Sequence, residues 1–163
     1  MPTTYDKLAT ETLSSAQASV TFSTISQSYS DLVIICNFGA ATASQDFTMR
    51  FNGDTGANYS NSGFYGTGSV VVAKGSSGDT RIVIDSVGVS TSLQAVDIID
   101  IIDYRNTSKY KSCLLRVADI GKSYEIGVGA WRSNSAITSI TLAMTSGNLL
   151  SGSTFTLYGI LKA

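Results

Sequence analysis

The chain carries ten aspartates, two glutamates and two cysteines but no histidine, which limits the chemistry open to it. Without histidine the usual general base is missing. Ser-His-Asp and Cys-His arrangements and most catalytic zinc sites go with it. A pair of carboxylates could still cleave a glycosidic bond, but Glu11 and Glu125 stand far apart and no motif gathers acids. Asp97, Asp100 and Asp103 recur every three residues. On a strand, 97 and 103 share one face and 100 points away, so they do not converge. They read as solvated or backbone-bonded aspartates that interrupt an aggregation-prone run. The loop from Asn52 to Asn58 offers oxygen atoms at 52, 54 and 58 that calcium could use. It lacks the acidic density of an EF-hand and reads as a Gly-rich turn. Cys36 and Cys113 each sit in an apolar run and read as buried free thiols, and two cysteines alone cannot build an ordinary zinc site. Trp131, beside Gly127 and Gly129, could stack on a sugar. The simpler reading is aromatic cover over a close backbone approach. No catalytic, cofactor-binding or metal-binding residue is assigned, and an enzyme is not expected.

The elements that would position these residues are strands. No window keeps apolar residues at helical spacing between capping signals. Phe47 to Phe51 alternates apolar and polar without a fault, and Ile140, Leu142 and Met144 share one face. Tyr124, Ile126, Val128 and Ala130 line one side of another strand, and Phe155 and Leu157 one side of a third. Asp31 to Phe38 is a continuous apolar run of strand length, as expected for a strand covered on both faces. Gly, Asn, Asp and Ser clusters separate the runs, and the one proline, Pro2, breaks none of them. The expected fold is all-β: one domain over residues 1–163, an antiparallel two-sheet sandwich of jelly-roll type with about ten short strands. Residues 1–12, Thr-rich and polar, suit an extended arm toward a neighbouring subunit.

Only 14% of residues are charged, against 43% hydrophobic, and the formal net charge is −1. The chain should therefore fold. A surface so poor in charge fits a protein packed against other subunits. Lysine and arginine are scattered singly, so nucleic acid is not an expected partner. No apolar stretch is long enough to span a membrane. The opening Met1-Pro2-Thr3-Thr4-Tyr5 lacks the features of a secretory signal, so synthesis and assembly in a cytoplasm are expected. Ala95 to Tyr104 holds four isoleucines in five positions around an aspartate and reads as a strand. Ile98 and Ile102 would then face one way, Ile99 and Ile101 the other. Both faces need cover: one by the core, the other by a subunit interface, here assigned to Ile99 and Ile101.

Several segments, in order along the chain, resemble small proteins encoded by tailed phages and prophages. They include Thr12-Leu13-Ser14-Ser15-Ala16, Arg50-Phe51-Asn52-Gly53-Asp54-Thr55-Gly56-Ala57-Asn58-Tyr59 and Ile98-Ile99-Asp100-Ile101-Ile102-Asp103-Tyr104. Gly129-Ala130-Trp131-Arg132-Ser133 and Ser153-Thr154-Phe155-Thr156-Leu157-Tyr158-Gly159-Ile160 continue the series. The resemblance implies a virion structural protein of the jelly-roll capsid decoration, or cement, type. Such a subunit would form a homotrimer, bind the phage major capsid protein on the outer capsid surface, and be made in the host bacterial cytoplasm. It supplies no catalytic or binding residue. The alternative is a tail fibre or spike head module that binds host surface glycan, with Tyr59, Phe64, Tyr65 and Trp131 as candidate exposed aromatics.

Overall fold

The computed structural model describes residues 5–43, 45–93, 95–120 and 123–161. These contain no helix and twelve strands: β1 (Tyr5–Thr12), β2 (Ser19–Phe22), β3 (Asp31–Phe38), β4 (Phe47–Phe51), β5 (Tyr59–Gly66), β6 (Val71–Asp79), β7 (Ile82–Asp85), β8 (Ala95–Ile102), β9 (Lys111–Asp119), β10 (Ser123–Trp131), β11 (Ile140–Met144) and β12 (Thr154–Ile160). An eight-stranded sheet runs β1-β12-β3-β8-β9-β10-β5-β6, and a four-stranded sheet β2-β11-β4-β7 packs on it. The strands pair antiparallel and neither sheet closes into a barrel. The chain repeatedly crosses between layers. Strands β2, β4, β7 and β11 lie in the small sheet, and β3, β5–β6, β8–β10 and β12 in the large one. That alternation is the winding of a jelly roll. Beyond β8, which pairs with β3, the hairpins β9–β10 and β5–β6 widen the large sheet.

The count exceeds the expected ten because polar strands carry little apolar signal. One of them is β1. Residues 5–12 are not an arm here: they pair with β12 in register from Tyr5–Ile160 to Thr12–Thr154, with one bulge between Lys7 and Ala9. Residues 1–4 lie outside the described residues.

One core joins the two layers. Phe38 from the large sheet stacks on Phe47 from the small one, ring centroids 4.2 Å apart, and Phe155 completes the group at 5.9 and 6.2 Å. Such tilted aromatic groups add to the burial energy of their large apolar area. Ile34, Ile99, Ile140 and Leu142 fill the space around them without exposure. Two glycines let backbones approach. A Cβ on Gly129 would meet Ile82 and Cys113 at 2.7–2.9 Å, and one on Gly159 would enter the ring of Tyr29. Both Cys36 and Cys113 are buried free thiols, and burial pushes Cys113 up to about 12.

Candidate functional site

The loop after β4 is pinned by its own side chains. Asn52 adopts a left-handed φ of 52°, and Gly53 follows at 67°. The Asn52 Oδ1 accepts from the backbone of Thr138 and Ser139, while its Nδ2 donates to Ala136. Asp54 accepts from the Gly56 amide at 2.7 Å, from Asn58 at 2.9 Å and from the Trp131 indole at 2.7 Å. These donors hold its carboxyl below the usual range, the Trp131 bond contributing most. The side-chain oxygens of Asn52 and Asp54 that calcium could have used are therefore engaged in hydrogen bonds. Trp131 is 3% exposed and stacks on Tyr59, itself fully buried. Neither ring can stack on a sugar, so the candidate aromatic rim reduces to Phe64 and Tyr65. The indole is cover over the core and a clamp on the loop.

The aspartate series divides differently from the expectation. Asp97 points inward, fully buried, with neither oxygen hydrogen-bonded. It is neither solvated nor backbone-bonded. Asp100 points outward and pairs with Arg116 at 2.6 Å. Asp103 lies beyond the strand, in a turn at φ 50°, paired with Lys109 at 2.5 Å.

The outer face of the large sheet is the exceptional surface. Strand β10 alternates strictly, but its inward row is Ser123, Glu125, Gly127, Gly129 and Trp131. Tyr124, Ile126 and Val128 face out, 63%, 70% and 45% exposed. Cross-strand register extends this row. Ile126 is flanked by Phe64 on β5 and Arg116 on β9, and beyond them lie Ile98 on β8 and Ile35 on β3. Val128 is flanked by Ser62 and Leu114, with Asp100 beyond, and Tyr124 continues through Ala118 to Val96. Ile126 and Arg116 form a ridge between two shallow depressions. One, of about 510 Å³, is lined by Phe64, Leu114 and Val128; the other, of about 340 Å³, by Val96, Ile98 and Tyr124. The exposed apolar side chains form one contiguous patch across five strands, of the kind that marks an interaction surface. The Arg116–Asp100 pair neutralises the charge at its centre.

Ile99 and Ile101 are not on this face. Both are fully buried, opposite Ile34 and Leu32 of β3. The interface assignment is thereby corrected: the outward residues of β8 are Val96, Ile98, Asp100 and Ile102. The small sheet covers the odd-numbered positions, leaving the even-numbered ones on the outer face.

Among the described residues no three acidic or thiol side chains are gathered at metal-ligand geometry, and no helix is long and apolar enough to cross a membrane. Compared with known proteins, the chain matches no family model and no curated sequence.

Proposed function

We propose that this chain is a structural, non-enzymatic subunit of a tailed-phage particle, a capsid decoration protein that trimerises and cements the major capsid lattice. The observation that carries this reading is the apolar outer face of the eight-stranded sheet, centred on Ile126. Its occupant is a second copy of the chain. A contiguous exposed apolar face of this kind suits a protein–protein contact. The central charges are paired within the subunit, so a partner needs no opposite charge. A net charge of −1 gives copies little reason to repel. A ridge beside two depressions suits a head-to-tail contact, the kind that builds cyclic rings such as trimers when its rotation closes. The resemblance to small phage proteins supplies the particle, and the low charge fits a subunit covered by neighbours.

Cementing needs no catalysis. A ligand that binds only the assembled shell stabilises it by mass action. Three linked copies engage the lattice multivalently, so each contact can be modest.

Light scattering on the purified chain should give three times 17.1 kDa at micromolar concentration. A monomer there would sink the trimer. In purified particles, the band ratio to the major capsid protein should be near one to one. A ratio of about a few per hundred would move the protein to the tail and overturn the cement reading.

A further inference from the structure

Among the described residues the two sheets have four edges, and three of them are guarded. Strands β2 and β7 bound the small sheet, and each is four residues long. Strand β1, at one edge of the large sheet, carries Asp6, Lys7 and Glu11 and a bulge between Lys7 and Ala9. Short strands, charged side chains and bulges all keep an edge from pairing with another chain. Strand β6, at the other edge, lacks these guards over Val71 to Gly75. That stretch has no proline and no bulge, the irregularity lying beyond it between Ser77 and Asp79. Its one charge, Lys74, turns inward to Glu125 and donates to Ser86 at 2.8 Å.

Strand β6 is also poorly covered. β7, the last strand of the small sheet, packs over β9, β10 and β5. β6 lies further out, with side chains exposed on both faces, Val71 to 78%. Among the described residues it pairs on one side, with β5. Ordering a strand costs about 1–2 kcal/mol per residue, and burial offsets little of that here. A row of unpaired backbone groups beside exposed valines is a template for one more strand.

We propose that the free edge of β6 pairs antiparallel with β6 of a second copy, about a two-fold axis at Ala73, so that two large sheets become one. An antiparallel partner continues a sheet in which every pairing is antiparallel, and a two-fold axis supplies it from the same strand. The guarded edges leave no other strand of this chain as well suited. Centred on Ala73, the register sets Val71 opposite Gly75 of the second copy, a branched side chain over a residue with none. It sets Val72 opposite the aliphatic stem of Lys74. No like charges meet, because Lys74 is committed to Glu125, and Asp79 accepts from Asn61 at 2.7 Å. On the outer side Phe64 lies beside Ala73, so the two Phe64 rings flank a pair of alanines and the two apolar faces run on as one.

The edge contact stands apart from the trimer contact, which uses the outer face, and links trimers edge to edge where both form. One strand edge is a small interface, and small interfaces are weak. Pairing is therefore slight in dilute solution and strong where copies are held side by side.

The test is oxidative cross-linking of Ala73→Cys at millimolar protein concentration. Directly opposed residues of antiparallel strands lie about 4.5–5.5 Å apart at Cα, within reach of a disulfide. The native Cys36 and Cys113 are buried and stay out of the reaction. Ala73→Cys should give a covalent dimer of twice 17.1 kDa on a non-reducing gel. Ser77→Cys, exposed on the same face of the same strand, should give about tenfold less, because the register holds the two copies of residue 77 roughly 25 Å apart. The contrast should persist in the Ile126→Asp background, which reads the edge contact separately from the trimer. Equal cross-linking of the two variants, or none from Ala73→Cys, would overturn the pairing of copies and leave the edge to a strand of another protein or to solvent.

Discussion

Ile99→Asp and Ile126→Asp place the same residue two strands apart on opposite faces of one sheet, and they should fail in opposite ways. Ile126 is 70% exposed. Covering it in an assembly removes on the order of 100 Å² of apolar surface, about 2.5 kcal/mol. Replacing it by aspartate loses that and adds the desolvation of a carboxylate, so association should weaken at least ~100-fold per contact. The fold should lose no more than about 1 kcal/mol, because the position is open and aspartate is merely a poor strand former. Ile99 is fully buried between Ile34 and Leu115. Its replacement removes core packing worth about 2–5 kcal/mol and buries an unpartnered carboxyl at a further cost of some kcal/mol. Against a total stability of about 5–15 kcal/mol, that should lower Tm by about 10 °C or more. Light scattering reads the assembly, and circular dichroism with thermal melting reads the fold. Ile126→Asp should be a folded monomer and Ile99→Asp a destabilised chain. A normally assembled Ile126→Asp, or an Ile99→Asp with wild-type Tm and lost assembly, would refute the assignment of faces.

Trp131→Phe removes the indole donor to Asp54 and should cost about 1–3 kcal/mol, a bond to a charged group. Because that bond depresses the Asp54 carboxyl, its contribution is present above the unfolded value and lost as pH falls through the folded one; the variant should show a shallower acid limb in Tm against pH. Gly159→Ala would place a methyl within 2.6 Å of both Cδ atoms of Tyr29, displacing the ring and costing about 1–3 kcal/mol by urea unfolding. Lys74→Met leaves the Glu125 side chain, fully buried, without its cation, and should destabilise by about 3–5 kcal/mol at neutral pH, read by the same unfolding curve.

What was legible in the residues was alternation; what was not was its sense. Phe47–Phe51 and Ile140–Met144 face the core as their pattern implies, because their polar rows leave only one choice. In β10 the apolar row Tyr124, Ile126, Val128 lines one side of the strand, yet the core takes the other, with Glu125, two glycines and Trp131. Hydrophobicity marks a face that must be covered and does not say by what. The glycines were the signal: Gly129 packs beneath Ile82 and Cys113, where no side chain fits. Ile99 and Ile101 were misassigned for the same reason. The buried acids were illegible for another. Asp97 and Asp119 are far apart in sequence and are set on neighbouring strands only by the β8–β9 register, which no local pattern carries. Polar β1 was missed because its strand character comes from pairing with β12 rather than from its own residues.

The register of the large sheet also dictates when the molecule can finish folding. Strand β3 pairs with β8 on one side and β12 on the other, and β12 in turn pairs with β1. As the chain emerges from the ribosome, Leu32 to Ile35 must wait 63 to 69 residues for their first neighbour on β8 and 121 to 127 for their second on β12. Topologies built on such remote partners fold slowly, and unpaired apolar strands are prone to stick to one another meanwhile. Refolding should therefore be slow, with yield falling as protein concentration rises.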